Sequence, residues 1–171
     1  MVVYPKFQRS QMPPKAMPVP MGFAWRVIFG GPYYDKPFGY VGVKLAPEVL
    51  ADAMIELPIG DFSTPRDLHR TNAVVWMVLN HLAAKDAVFV GCMGGRGRTG
   101  LFLALLVKAM GIPNAIGHVR ANYHAKAIET KDQEQYVIEY DPPFTRWDLT
   151  WLKLRAMRRG LQPTGLGLSP R

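Results

Sequence analysis

The sequence predicts an α/β fold: a mainly parallel central sheet flanked by helices, with a tight functional loop at one strand-to-helix junction. Two observations carry this. Short β-rich runs alternate with stretches of helical period, as crossover connections between parallel strands require. The stretch VFVGCMGGRGRTGLFLALL, Val88 to Leu106, sets an apolar run, a glycine-rich turn and a second apolar run in direct succession.

Residues 1–22 hold Pro5, Pro13, Pro14, Pro18 and Pro20 without a period of 2 or 3.6, and are expected to form an extended or flexible arm. Residues 23–160 are expected to form one domain and 161–171 a Gly/Pro-rich tail. Within the domain AWRVIF reads as a strand, GGPYYDKPFGY as a turn-rich loop, and AMIELPI, Ala53 to Ile59, as a strand ended by Pro58. Thr64 before Pro65 suits a helix N-cap and first turn, with Leu68, Val75, Leu79 and Leu82 on one face. AVFV is a third strand. A strongly apolar helix then runs from Arg98 to Met110 and stops at Gly111. Pro113 opens a helix containing Ile116 and Val119, Lys131 to Tyr140 reads as another, and Thr145 to Arg159 as the last. In that last helix Trp147, Trp151 and Leu154 mark a face expected to dock on the core with Lys153, Arg155, Arg158 and Arg159 in water, or else to meet nucleic acid or a membrane.

With 21 Lys+Arg against 13 Asp+Glu the formal charge is +8, which favours anionic partners without ranking phosphate esters, nucleic acid and acidic lipid. A single cysteine closes no internal disulfide, and the start MVVYPKFQRS lacks the apolar core of a signal peptide, so a cytoplasmic location is expected. Every apolar run is interrupted short of the ~20 residues that span a bilayer. Four histidines and one cysteine offer no ligand spacing such as H-E-x-x-H, so neither a metal nor a cofactor is expected.

The glycine-rich turn admits two readings. GRGRTG, Gly95 to Gly100, satisfies the dinucleotide fingerprint G-x-G-x-x-G. That fold needs a further strand ending in an acid about 20 residues on. The region instead reads GHVRANYHAK, with no acid and no strand pattern, and no lysine follows the glycines as an ATP-binding loop demands. The other reading takes Cys92-Met93-Gly94-Gly95-Arg96-Gly97-Arg98-Thr99-Gly100 as a phosphate cradle. Successive backbone N–H groups at a helix N-terminus point at a dianion, the glycines permit the curvature, and Arg98 adds a planar fork for two phosphate oxygens. Cys92 at the bottom of such a cradle feels the same positive dipoles. A thiol of pKa ~8.5 is about 3% ionised at pH ~7, whereas one lowered to ~6 is about 90% ionised.

On these residues the chain resembles the cysteine-dependent protein-tyrosine and dual-specificity phosphatases, whose signature is H-C-x5-R-[ST]. The likeness extends over about Ala53 to Val137. LPIGDFSTP, Leu57 to Pro65, is similar to the family's general-acid segment, which makes Asp61 the candidate acid. AIGHVRANYHAKAIETKDQEQYV resembles the family's helix pair, with Ala127-Ile128-Glu129-Thr130 and Gln133 in the expected order. Three positions depart from the pattern. Gly91 replaces the histidine before the cysteine, which customarily helps to orient the loop. Tyr123 stands where the family often has arginine. Glu129 stands where the tyrosine-specific branch holds a water-positioning glutamine, so either Gln133 takes that role or hydrolysis is organised differently.

The resemblance implies a phosphomonoester hydrolase working through a thiophosphoryl-enzyme intermediate. Cys92 is the expected nucleophile; Arg98 and the amides of Met93, Gly94, Gly95, Arg96 and Gly97 bind the phosphate; Thr99 donates to the cysteine sulfur; Asp61 protonates the leaving group; Gln133 serves the hydrolytic water. The expected substrate is a phosphorylated protein, phosphotyrosine or mixed. Alternatives are a phosphoinositide or an RNA 5′-phosphate handled by the same chemistry, or a weakly active phosphate-binding module. Arg96 is a candidate for a second phosphate, or else a solvated rim residue. Tyr33 and Tyr34 are candidates for an aromatic wall, or else packing residues.

Overall fold

The computed structural model describes residues 16–160. Five strands, β1 (Ala16–Met21), β2 (Ala24–Pro32), β3 (Val41–Lys44), β4 (Ile55–Glu56) and β5 (Val88–Cys92), form one sheet in the order β1-β2-β5-β3-β4. Only β1 is antiparallel to its neighbour. Five helices, α1 (Leu68–Ala83), α2 (Gly97–Ala109), α3 (Ala115–Asn122), α4 (Lys131–Glu139) and α5 (Arg146–Gly160), pack around it. The expected mainly parallel α/β architecture is thus the observed one. None of the helices among the described residues is long and apolar enough to cross a membrane.

The central strand β5 is flanked on both sides by parallel partners, Gly31 opposite Gly91 on one side and Val43 opposite Val90 on the other. A strand buried on both faces reads as a continuous apolar run, and VFVGC is buried throughout. Its carboxyl end delivers Cys92 to the edge of the sheet where parallel α/β folds place their ligands. The helix that follows, α2, is buried along nearly its whole length, so its N-terminus is held rigidly at the same place.

Several boundaries differ from the sequence reading. The arm expected over 1–22 is corrected at its end, because Ala16–Met21 forms a buried edge strand; residues 1–15 and the expected tail lie outside the described residues. Pro18 and Pro20 alternate with Met17 and Val19, so the missing N–H groups fall on one side of the strand. An edge strand tolerates that when the side faces away from its partner. The outer side is covered by α3, where His118 Nε2 lies 3.2 Å from the Pro18 carbonyl oxygen. The strand expected over Ala53 to Ile59 is regular only at Ile55–Glu56. Beyond it, Leu57 N–H donates to Lys44 O (3.0 Å) and Ile59 N–H to Leu45 O (2.8 Å), an irregular continuation that carries the chain toward Cys92. Strand β3 was not legible, being four residues interrupted by a glycine.

Helix α1 is capped by Asp67, whose side chain accepts from Arg70 N–H at 2.9 Å, and not by Thr64. Leu68 at its first position is exposed, while Val75, Leu79 and Leu82 are buried. In α5 the docking face is Leu152 and Ala156, with Leu149 partly buried beside them. The expected anchors Trp147, Trp151 and Leu154 point outward, Trp147 being 76% exposed. Helical spacing alone could not choose between the two stripes. Arg26 on β2 decides the docking: it donates from Nε to Leu82 O (3.1 Å) and from Nη2 to Ala156 O (2.5 Å), binding α1 and α5 to the sheet through their last turns.

Leu152→Ala is therefore expected to cost about 2–5 kcal/mol in urea unfolding. Trp147→Ala should cost about 0.5 kcal/mol or less. Equal losses would mean that the outward stripe packs on the core.

Candidate functional site

Between β5 and α2 the loop from Cys92 to Arg98 turns through Gly95, whose φ of 68° lies in the left-handed region. A side chain at Gly95 would collide with the Gly31–Pro32 backbone, so this position needs glycine on both counts. Cys92 Sγ accepts two hydrogen bonds, from Gly95 N–H and from Thr99 Oγ1, each at 3.2 Å. Thr99 Oγ1 in turn accepts from Cys92 N–H at 3.1 Å. The sulfur is a free thiol, buried at the floor of a cleft of about 310 Å³.

Asp61, Cys92, Met93, Gly94, Arg96, Gly97, Arg98 and Gln133 all line that cleft, so the residues singled out in the sequence converge on one place. Gly95 and Thr99 stand behind it, bonded to the sulfur. Of the four buried polar or charged residues among those described, Arg98, Thr99 and Gln133 belong to this site.

Arg98 is 3% exposed, and both of its terminal nitrogens are bonded. It donates to Ile59 O (3.2 Å) and to Glu48 Oε1 (2.6 Å), and pairs with Asp61 Oδ1 (3.2 Å). Burial disfavours its charge, but the Glu48 bond and the nearby Cys92 and Asp61 outweigh this and hold the guanidinium above its ordinary pKa. The same bond holds the Glu48 carboxyl below the usual carboxylate range. The sequence reading missed Glu48, since an acid in a Pro-Glu turn carries no local signal of a long-range partner.

Asp61 occupies a turn closed by Ser63 N–H on Gly60 O at 3.1 Å. Phe62 takes the third place of that turn with φ 52°, where glycine or asparagine is usual. Asp61 Oδ1 accepts from Phe62 N–H (3.1 Å), and its side chain remains 64% exposed at the cleft mouth. Phe62 lines the cleft, 62% exposed, and was not among the expected site residues. The Tyr33–Tyr34 pair is not there: Tyr33 is buried and donates to Asp52 O at 3.1 Å, and Tyr34 accepts from Leu50 N–H at 3.2 Å. Tyr33 is a packing residue, and Tyr34 is exposed away from the cleft.

Gln133 is fully buried, and both ends of its carboxamide are bonded. Oε1 accepts from Glu129 N–H (2.9 Å) and Nε2 donates to Ser63 O (3.1 Å), joining the Asp61 turn to the start of α4. One N–H and one lone pair are left over. Glu129 lines the cleft, its carboxylate against Gly97: a Cβ on that glycine would lie 2.5 Å from Oε2. Arg120 supports this corner from behind, bonding Ala127 O (3.1 Å) and Ile128 O (3.0 Å), where Ile128 holds a left-handed φ of 64°. Gly91 has no room for the customary histidine. A Cβ there would lie 2.7 Å from Tyr33 Cα and 2.9 Å from Gly31 O, both backbone.

Gly91→Ala is accordingly expected to lower unfolding free energy by about 1–3 kcal/mol, read by denaturant melts. Glu48 makes a pH-dependent prediction. A carboxyl with a lowered native pKa stabilises the fold above the ordinary carboxylate range, and this is lost as pH falls through the native value. Wild type should therefore melt above Glu48→Gln at neutral pH, with the gap closing in acid. A gap that widens in acid would refute the pairing.

A model of the family described as "PTP-SAK: Swiss Army Knife protein, DSP-PTPase phosphatase domain" matches residues 43–137. Two uncharacterized proteins of Methanocaldococcus jannaschii are 39% and 37% identical over 84 residues, 49% of this chain in each case. The matched stretch is 52% and 56% of their lengths, so the chain spans about half of the curated relatives it matches. Among solved structures, Tk-PTP in its active form superposes with a TM-score of 0.57 at 20% identity, covering 76% of this chain and all 100% of that one. A kinase associated phosphatase with its catalytic-site cysteine changed to serine gives 0.56 at 18% identity, covering 75% and 94%. At such identities the superpositions establish the fold, and the family match over more than half the chain establishes the kinship: this chain belongs to the dual-specificity and protein-tyrosine phosphatase domains of the Swiss Army Knife type.

Proposed function

We propose that this protein hydrolyses phosphomonoesters with Cys92 as nucleophile, acting on a phosphorylated protein and preferring aryl phosphates such as phosphotyrosine. The observation that carries the reading is the pair of donors aimed at one buried sulfur, Gly95 N–H and Thr99 Oγ1 at 3.2 Å each, at the N-terminus of a buried helix. Donors that converge on sulfur hold it in one place at the floor of the cleft. Attack of that sulfur on phosphorus forms the S–P bond as the ester P–O bond breaks, and the leaving oxygen takes a proton from Asp61. Arg98 and the loop amides hold the equatorial oxygens. Water then attacks phosphorus, gives a proton to Asp61, and releases phosphate and the thiolate. Thr99 Oγ1, already on the sulfur, stabilises it as it leaves.

Gln133 supports the second step, because its anchored carboxamide keeps one N–H and one lone pair for the water, with the Glu129 carboxylate alongside. Phe62 favours an aryl ester. An exposed aromatic beside the acid, held against the backbone preference of its residue type, offers a face to a substrate ring. Arg96 on the cleft lining supports the alternative of a bisphosphorylated or phosphoinositide substrate.

Cys92→Ser is expected to abolish turnover of an aryl phosphate while retaining phosphate binding. Wild-type Cys92 should react rapidly with iodoacetate, and phosphate should protect it. Asp61→Asn should slow phosphoryl transfer roughly 10²–10⁴-fold for a poor leaving group, the loss shrinking as the leaving group becomes more acidic. A uniform loss across leaving groups would remove Asp61 from the role of acid. Slow, unprotected alkylation would make Cys92 a structural cysteine.

A further inference from the structure

We propose that Tyr123 is a positioning residue that locks the loop from Cys92 to Arg98 in its anion-binding form by donating its hydroxyl to the Gly95 carbonyl. The inference rests on the reading of that loop as a phosphate cradle. A loop built from Gly94, Gly95 and Gly97 is cheap to bend and equally cheap to unbend. A Cβ on Gly94 would meet nothing within 4 Å, so packing does not hold that end of the turn. Something outside the loop has to select one conformation. In the family pattern the histidine before the cysteine contributes to this, and here Gly91 has no space for one.

Tyr123 enters from another direction. It follows α3 as its C-cap, with its own N–H bonded to Val119 O at 2.8 Å, so its backbone is fixed by the helix end. Its ring packs against strand β2 at Gly30, where a Cβ would stand 2.9 Å from Cε2 and 3.0 Å from Cζ. The strand gives up a side chain to admit the ring. The hydroxyl then reaches Gly95 O at 2.5 Å, the short end of the range for O–H···O bonds.

That bond sets the direction of a peptide plane. In a planar trans peptide the C=O of one residue and the N–H of the next point in opposite directions. Pulling the Gly95 carbonyl toward Tyr123 therefore turns the N–H of Arg96, itself a residue of the cleft lining, away from Tyr123. Gly95 N–H, on the other side of the same residue, is held on Cys92 Sγ. Burial and the neighbouring Cys92 push the Tyr123 phenol well above its ordinary pKa, so it keeps its proton and donates across the working range. Tyr123 touches no reacting atom; it acts through the amide it orients.

The test is Tyr123→Phe in the full chain, which keeps the ring on Gly30 and removes only the hydroxyl. If the hydroxyl selects a competent loop, its loss lowers the fraction of molecules in that state, and apparent affinities weaken by that fraction. Vanadate Kd, phosphate Ki and KM for an aryl phosphate should all rise by a common factor of about tenfold, with kcat at saturation nearly kept. Phosphate protection of Cys92 against iodoacetate should weaken in parallel. A merely structural tyrosine would lower the melting temperature and leave vanadate Kd unchanged, and that result overturns the proposal. Failure of the hydrolase reading looks different: wild type would bind vanadate without turning over, and the ratio of vanadate Kd between variant and wild type would still test Tyr123. A wild type that binds no vanadate removes the cradle and the lock together.

Discussion

A guanidinium taken out of water is tolerated only where its charge and its donors are answered, because an uncompensated buried ion costs several kcal/mol. Arg98, 3% exposed, is answered by three segments far apart in sequence: the turn carrying Glu48, the irregular extension ending at Ile59, and the Asp61 turn. Each of those segments must be where it is for the arginine to be buried at all. The irregular pairing of Leu57 with Lys44 and of Ile59 with Leu45 leads the chain to Ile59, whose carbonyl accepts from Arg98. One side chain thus ties the Glu48 turn, the Asp61 turn and the chain at Ile59 into a single arrangement.

A second constraint is close approach of backbone to backbone. Gly31, Gly91 and Gly95 lie where two strands and the loop converge, and a side chain on Gly91 or Gly95 would meet main-chain atoms that cannot move aside. The same economy appears at Gly100, where a Cβ would stand 2.7 Å from the Ala127 Cβ and 2.9 Å from Ile128 N, and at Gly97 against Glu129. These contacts bring the segment from Ala127 to Glu129 onto the N-terminal turns of α2. Arg120 and the Gln133 carboxamide then clamp that segment, and Ile128 accepts an unfavourable φ as part of the arrangement.

What the sequence disclosed and what it withheld follow from the range of each interaction. The strand-loop-helix unit around Cys92 was legible because its chemistry is local: an apolar strand, glycines, an arginine and an apolar helix occur within nineteen residues. The helices were legible by period, to within a few residues at their ends. Edge strand β1 was not, because two prolines mask a period that only pairing with β2 makes useful. The orientation of α5 was not, because its sequence carries two apolar stripes and the choice is made by Arg26 on a strand 130 positions away. Glu48 and Phe62 escaped for the same reason. Glu48 lies in no pattern and Phe62 only beside the quoted Asp61, and each matters through a partner or a cleft that exists only in the folded chain.

The crowding around Gly91 and Gly95 also limits how such a centre can be redesigned. Reactivity at Cys92 cannot be adjusted by placing new groups at those two positions, since the space is already occupied by the main chain of Gly31, Pro32 and Tyr33. Room for adjustment lies instead at Met93 and Arg96 on the loop itself and at side chains that reach it from other elements: Glu48 after β3, Phe62 beside Asp61, Tyr123 at the end of α3, and Glu129 and Gln133 around the start of α4. A directed-evolution library would do best to leave these two glycines constant and diversify that outer ring.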